Sequence, residues 1–418
     1  MTINLKFKIL ITVALLISFS SFAAESAKHS KSLAPEAPAA DVEVLVAATT
    51  LAEAVRSFRS LSDLPVLEKA FFNTAPTDRE DSVLVGKLGV DGGNKTMILK
   101  LAEEIADNKH GAFDSLLIAH KGKLLFESYY KNGRINLPHT QASATKTYTG
   151  LVLGRAIQLG YLSMTDLEKP VASFLKDLEP RKFIEGAEKI TLHQALTMST
   201  GIRISDENRE KMQKNPEKLK GQGNVQGLFE HSDPITKETQ VFRYGTGPQL
   251  VMQVIGAVVP GTAQDFIKNE LLGKLDITAY LWLTAQSGLP ESGWRVLITS
   301  RDMVKLGTLT MNKGKWNGEQ LIPEAFIAKA INRIVHNSDD ENFSDDGSIS
   351  NTGYGYFWWQ ADMKTGNRSY FSTSARGGGG QYIILIEELD LMVVVTANDM
   401  DNRTLQITAE RILPAFIK

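Results

Sequence analysis

A serine and a lysine stand three residues apart in the segment QASATKTYTG, at Ser143 and Lys146. On a helix, residues three apart lie on one face about 4.5 Å apart along the axis, within hydrogen-bonding reach. If Ser143 lies in the first turn, the unpaired backbone amides there would stabilise an oxyanion. Partial burial would lower the pKa of Lys146, so that a neutral amine could take the serine proton. The pair is therefore a candidate nucleophile and base.

The same spacing occurs twice more, at Ser128/Lys131 and Ser173/Lys176. Ser128 falls in or just after a predicted strand, where residues three apart point to opposite faces. The other pair lies in a short segment that ends at Pro180. We interpret both pairs as structural, so spacing alone does not identify the site.

Two later segments supply suitable companions for the pair. In FRYGTGPQLVMQVIG, Tyr244 stands in a glycine-rich turn just before a predicted helix, where a phenol can point into a cleft. In SARGGGGQYIILIEELDLMVVV, the four glycines 377–380 adjoin a predicted strand. Glycines there allow close approach to a ligand and leave backbone N–H groups available for an oxyanion.

With these motifs the chain resembles the serine β-lactamase and penicillin-binding-protein superfamily, specifically its class C-like esterase and amidase branch. The resemblance runs from about Lys95 to Lys418. It includes the motifs above and several co-linear segments, namely SLLIAHKGKLLFESYY, ITLHQALTMSTGI, TSRDMVKLGTLTMNKGKWNGEQLIP, YGYFWW and ARGGGGQYI. Agreement in this order along the chain is more specific than one short motif.

The resemblance implies roles for five positions. Ser143 would be the nucleophile and Lys146 the residue that activates it. Tyr244 stands where the family has the tyrosine of its Tyr-x-Asn motif and would shuttle the proton to the leaving group. Gly377 matches the glycine of the family's Lys-Thr-Gly strand motif and would bind substrate. The N–H of Gly378 would then complete the oxyanion hole with the N–H of Ser143.

The chain departs from the family pattern at substrate-binding positions. Thr246 replaces the family's asparagine, and Ala375 stands at the strand lysine that holds a β-lactam carboxylate. Arg376, next to it, either binds a substrate carboxylate instead or is an outward-facing strand residue. A literal Lys-Thr-Gly at 364–366 falls between two strand-like runs and is interpreted as a hairpin turn. These changes argue against efficient β-lactam hydrolysis and favour an ester or amide substrate.

The elements that must position these residues predict an α+β fold of the β-lactamase/transpeptidase type. Hydrophobic periodicity predicts a helix over Lys95–Asn108, and the run SLLIAHKGKLLFESYY predicts a hairpin around Lys121-Gly122. Strand-like runs return near the C-terminus, and TLQITAERILPAFI is typical of a closing helix. We expect an antiparallel sheet flanked by N- and C-terminal helices, plus an all-helical lobe, with the cleft between the lobes.

The domain organisation expected from these patterns has three parts. Residues 1–23 form a signal peptide, and residues 24–90 form a linker and N-terminal extension. Residues 91–418 form the serine hydrolase domain. Its α/β lobe comprises 91–139 and 310–418, and its helical lobe comprises 140–309.

The first residues resemble a secretory signal. Lys6 and Lys8 precede the apolar run Ile9–Phe22, and the small residues that follow predict cleavage after Ala23. A membrane anchor is the alternative, but the run is shorter than the ~20 residues that span a bilayer. We expect a periplasmic or secreted protein, without stable membrane insertion after cleavage. The chain has no cysteine, which excludes disulfides, a thiol nucleophile and a lipid attached through cysteine.

Composition narrows the possible partners. The 46 Lys and Arg against 48 Asp and Glu give a net charge of −2, without the basic field that nucleic acid requires. No metal or organic cofactor is expected, and the substrate would be a small ester, amide or peptide-like molecule. Two alternatives remain open: a peptidoglycan DD-carboxypeptidase or true β-lactamase, and a non-catalytic penicillin-binding-type protein.

Overall fold

The computed structural model describes residues 37–39, 64–336, 347–400 and 402–417. The predicted signal peptide and much of the predicted linker lie outside the described residues. The strands are β1 (Phe71–Asn73), β2 (Phe113–His120), β3 (Lys123–Tyr129), β4 (His139–Thr140), β5 (Leu281–Trp282), β6 (Val296–Ile298), β7 (Lys315–Trp316), β8 (Glu319–Gln320), β9 (Val335–His336), β10 (Ile349–Tyr354), β11 (Trp359–Thr365), β12 (Arg368–Gly377), β13 (Gln381–Ile386) and β14 (Leu391–Ala397).

The α-helices are α1 (Lys95–Ala106), α2 (Thr145–Gln158), α3 (Leu192–Leu196), α4 (Asp206–Gln213), α5 (Gly223–His231), α6 (Gly247–Val258), α7 (Ala263–Phe266), α8 (Ser300–Met311), α9 (Glu324–Ile331), α10 (Thr404–Ile407) and α11 (Leu413–Phe416). Short 3₁₀ turns connect many of them, and a π-helical segment, Thr408–Ile412, joins α10 to α11. The predicted N- and C-terminal helices are therefore present.

Nine strands form one antiparallel sheet in the order β1-β3-β2-β14-β13-β12-β11-β10-β9. The predicted hairpin is β2–β3, whose register closes at His120↔Lys123. The literal Lys-Thr-Gly sequence forms the turn between β11 and β12, where Thr365 pairs with Arg368. The predicted hairpin and the predicted turn are both confirmed. The Lys-Thr-Gly turn lies at the start of β12, at the opposite end of that strand from the glycine run.

The two faces of the sheet belong to two cores, because successive strand side chains alternate in direction. On β14, Val393 and Val395 pack with α1 and the C-terminal helices. The intervening Val394 packs on the other side, with α8 and the helices that follow β4. Burial on both faces explains why the apolar residues of β2 and β14 are consecutive, at Leu116–Ala119 and Leu391–Val395, instead of alternating.

The region between β4 and α8 is mostly helical, and α2 packs against α6 at its centre. It is not all-helical as predicted, since β4, β6 and β5 form a small three-stranded sheet. These strands are only two or three residues long, too short for a recognisable alternation of apolar and polar residues. They matter because β4 leads directly into the segment that contains Ser143.

Part of the predicted N-terminal extension packs against the sheet. Strand β1 pairs with β3 and forms one edge of the nine strands. In the described residues no single helix is long and apolar enough to cross a membrane. The pair Gly247–Val258 and Ala263–Leu275 would reach the required length and composition only together, and it is bent by 93°.

Candidate active site

Ser143 lies in a single 3₁₀ turn, Ala142–Ala144, that leads directly into α2. Helix α2 is buried from Thr145 to Ile157, so its first turn is held by packing on all sides. The residue before the nucleophile, Ala142, has a positive φ of 42°, a conformation that costs a non-glycine residue free energy. The serine thus stands at a sharp bend where the backbone enters a rigid helix.

Lys146 contacts Ser143 as the spacing predicts. Its Nζ lies 2.8 Å from Ser143 Oγ and donates a second hydrogen bond of 2.9 Å to the carbonyl oxygen of Gly293. Burial lowers the pKa of Lys146 from 10.5 to about 8, because an ammonium loses its hydration there. At pH 7 the Lys146 amine is then neutral in roughly a tenth of the protein molecules, which suits a general base.

Tyr244 contacts Lys146 from the turn before α6. The Nζ of Lys146 lies over its ring, 4.6 Å from the centroid. The ring is held by Trp359 at a centroid distance of 5.3 Å and by Tyr354 at 6.1 Å, in an edge-on contact. The contact between Lys146 and Tyr244 is therefore a cation–π contact with the ring face. The structure thus places the Tyr244 ring beside the amine that contacts Ser143.

Gly377 lets strand β12 approach the nucleophile turn. A Cβ atom at this position would lie 2.2 Å from the carbonyl oxygen of Gln141, far inside van der Waals contact. Gly377 is itself buried and does not line the cavity that contains Ser143. The structure thus places it as a close-packing residue, whereas the sequence predicts a substrate contact.

The cavity in front of Ser143 has a volume of about 380 Å³. Gly378, directly after β12, lines this cavity together with Ser143, as an oxyanion-hole residue must. Its other walls come from the α6 turn and from the loop before β6. The cavity is lined by Ala142, Ser143, Lys146, Gly245, Pro248, Gln249, Glu291, Ser292, Gly293, Trp294 and Gly378.

Three of these residues are functional candidates that the sequence does not reveal. Gly293 accepts a hydrogen bond from Lys146 through its backbone carbonyl, and a carbonyl leaves no residue signature. Trp294 is half exposed and forms an apolar wall of the cavity. The pKa of Glu291 is raised by burial, an effect that Arg295, 3.5 Å away, partly opposes. In the sequence, the Gly293-Trp294 pair before a short strand is the only feature that could have indicated this part of the site.

Two predicted substrate-binding residues lie outside this cavity. Thr246 lines a neighbouring cavity together with Tyr244 and Gly245. The guanidinium of Arg376 stacks over Trp359 at 5.5 Å, and its Nε donates to Ser374 Oγ at 2.7 Å. Arg376 therefore supports the aromatic group beneath Tyr244.

No group of three or more His, Asp or Glu side chains is placed to hold a metal ion in the part of the chain that the structure describes. The cavity offers a hydroxyl, an amine, a carboxyl group and backbone amides, and the Tyr244 ring lies beside the amine. Together these can form and hydrolyse an acyl-serine bond.

Solved structures with the same fold come from several hydrolase and penicillin-binding groups. A putative 6-aminohexanoate-dimer hydrolase from Bacillus anthracis shares 15% identity at a TM-score of 0.58, over 86% of this chain and 92% of that one. A penicillin-binding protein homologue from Caulobacter crescentus shares 12% identity at a TM-score of 0.59, over 82% and 100%. A class C β-lactamase shares 15% identity at a TM-score of 0.53, over 78% and 96%.

At such low identities the structural likeness shows the fold alone. No curated protein matches the sequence. The family model described as Beta-lactamase matches residues 100–415, about three quarters of the chain. The match spans Ser143, Lys146, Tyr244 and the glycine run. The chain therefore belongs to the Beta-lactamase family, as its sequence motifs predict.

Proposed function

We propose that the protein is an exported serine hydrolase that cleaves an ester or amide through an acyl-serine intermediate. The observation that carries this proposal is the 2.8 Å contact between Ser143 Oγ and Lys146 Nζ, in which the lysine is buried and has a pKa of about 8. A lysine held charged by a carboxylate could not act as a base. No carboxylate contributes to the pKa shift of Lys146, which arises from burial.

In the acylation step, Ser143 Oγ attacks the substrate carbonyl carbon while its proton passes to Lys146 Nζ. The tetrahedral oxyanion forms between the N–H groups of Ser143 and Gly378. Preorganised donors of this kind are worth about 10²–10³ in rate each. When the intermediate collapses, the bond to the alcohol or amine breaks, and the leaving group takes the proton from Lys146 with the help of the Tyr244 hydroxyl. An acyl-serine remains.

In the second step, water attacks the acyl-serine carbonyl and gives its proton to Lys146. The carboxylic acid then leaves, and Ser143 regains a proton from the same amine. The Gly293 carbonyl keeps the lysine oriented through both steps, because it holds one Nζ proton whether or not Ser143 is acylated.

The family also contains enzymes that act on β-lactams and peptidoglycan, and two features favour an ester or amide here. Ala375, at the strand position of the family's carboxylate-binding lysine, is fully buried. The neighbouring Arg376 is held by Trp359 and Ser374. Neither side chain is placed to hold the carboxylate of a β-lactam in the cavity.

The test is covalent labelling of the purified mature protein. A fluorophosphonate probe should label wild type, a p-nitrophenyl ester should be hydrolysed, and Ser143→Ala should lose both by at least about 10³-fold. Equal labelling of wild type and Ser143→Ala would refute a catalytic serine and favour a non-catalytic binding protein. Strong acylation by a fluorescent penicillin, with slow ester hydrolysis, would favour the carboxypeptidase or β-lactamase alternative. Export is tested by N-terminal sequencing, which should begin at Ala24.

A further inference from the structure

A second cavity adjoins the one in front of Ser143. It has a volume of about 320 Å³ and lies among the segments that follow α3, around α4 and the turn before α6. Gly245 and Gln249 line both cavities, and Tyr244 borders the second one. The two cavities therefore adjoin each other at the turn before α6.

Three arginines line the second cavity, namely Arg203, Arg209 and Arg243. Its other polar lining comes from neutral hydroxyl and amide side chains, and no carboxylate side chain contributes to its wall among the described residues. Three guanidinium groups around so small a volume repel one another. A cavity of this composition is therefore electrostatically complementary to an anion.

Little within the protein neutralises these arginines. Arg209 meets Asp206 at 4.0 Å, a distance at the limit of an ion pair, and Asp206 is fully exposed to solvent. Arg203 donates to the Thr239 carbonyl at a long 3.5 Å. For Arg243 the contact within the described chain is a backbone one, from its N–H to the Met198 carbonyl. The guanidinium donors thus remain available to a ligand.

We propose that this second cavity binds a carboxylate at the far end of the substrate's acyl group, while Ser143 attacks the carbonyl at the near end. The inference rests on the proposed function and names its substrate class: esters or amides of dicarboxylic or carboxylate-bearing acids. Guanidinium groups bind carboxylates through paired hydrogen bonds, which gives orientation as well as affinity. In this arrangement the cavity arginines bind the anion, while Arg376 contacts Trp359 and Ser374.

The test compares p-nitrophenyl esters whose acyl chains have equal length and end in either a carboxylate or a methyl group. Succinate, glutarate and adipate hemi-esters are paired with their neutral counterparts. We expect kcat/KM for at least one anionic ester to exceed that of its neutral partner by about tenfold, the value of one charge-assisted hydrogen bond. Raising the salt concentration from about 0.05 to about 0.5 M should reduce this ratio, because salt screens exposed charges.

The variants Arg209→Gln and Arg203→Gln should each lower that ratio several-fold, toward one. Arg181→Gln is the matched control. Arg181 is exposed in the same helical region, outside both cavities, and its replacement removes the same charge. The control should leave the ratio unchanged. Arg209→Glu keeps the proposal testable if Arg203→Gln does not fold, since Arg209 is largely exposed and its reversal should invert the preference.

Different results would contradict the proposed function and the anion-binding cavity. If wild type hydrolysed neither ester, or if Ser143→Ala hydrolysed them as fast as wild type, the proposed function would be overturned. Ser143-dependent hydrolysis with a ratio near one, or a ratio that Arg209→Gln leaves intact, would overturn the anion-binding cavity alone. Stronger inhibition of neutral-ester hydrolysis by inorganic phosphate than by free glutarate would overturn the assignment of a carboxylate.

Discussion

Gly377→Ala is the substitution that most directly tests how the sheet and the nucleophile turn form the site. The added methyl carbon would lie 2.2 Å from the Gln141 carbonyl oxygen. Ordinary contacts of a Cβ atom begin at 3.4 Å, so the strand and the turn must separate by about 1 Å. Both partners are backbone segments, and neither can rotate away as a side chain would. The separation moves Gly378 away from Ser143.

We expect this displacement to lower kcat by about 10²–10³, because an oxyanion donor is lost and a misplacement of about 1 Å alone costs about 10². Overpacking should cost a further ~1–3 kcal/mol of unfolding free energy, so the protein should remain folded. The assay is steady-state hydrolysis of a p-nitrophenyl ester, with thermal unfolding of each variant as the check on folding.

Gly378→Ala is the matched control, one residue further along the chain. A Cβ atom there would meet only the Met400 side chain at 3.7 Å, an ordinary contact, and alanine retains the backbone N–H. We expect kcat to fall by less than about tenfold. If folded Gly377→Ala hydrolysed the ester within threefold of wild type, or if Gly378→Ala were the more damaging change, the close approach of β12 would not be what forms the site.

Two further predictions concern Lys146 and Tyr244. The base is the neutral amine, and burial lowers the pKa of Lys146 to about 8. The hydrolysis rate should therefore rise tenfold per pH unit below pH 8 and level off above it. A flat profile between pH 6 and 9 would exclude Lys146 as the base. Tyr244→Phe should lower kcat by about 10²–10⁴ while the inflection stays near pH 8, since the ring remains beside the amine. Tyr244→Leu should also move the inflection to lower pH by about a unit or less, because the ring favours the ammonium form; identical inflections in the two variants would contradict the cation–π contact.

The sequence predicts the parts of the site that depend on local geometry. Ser143 and Lys146 share a helical turn, so their contact follows from a spacing of three. The hairpin β2–β3 and helix α1 follow from apolar periodicity and a Lys-Gly turn. Family and fold class follow from several such segments in order, and both predictions are confirmed by the family match and the nine-stranded sheet.

What the sequence does not predict is set by contacts between distant segments. The carbonyl of Gly293 reaches Lys146 across 147 positions, and a backbone acceptor has no residue preference that a pattern could reveal. The direction of Arg376 depends on Trp359, which lies on the neighbouring strand and offers the guanidinium a ring face. Thr246 lies two residues from Tyr244 and lines the neighbouring cavity with it, whereas the adjacent Gly245 lines both cavities. Whether a side chain faces the substrate was therefore decided by tertiary packing.

The position of β14 in the sheet has a consequence for how the chain acquires its structure during synthesis. This strand comes last along the chain and yet lies between β2 and β13. A ribosome must finish almost the whole polypeptide before β2 can gain its partner on that side. Such late pairing of distant segments slows folding. A chain that closes its sheet late remains unfolded for longer during synthesis, which is compatible with the proposed export through a narrow translocation pore.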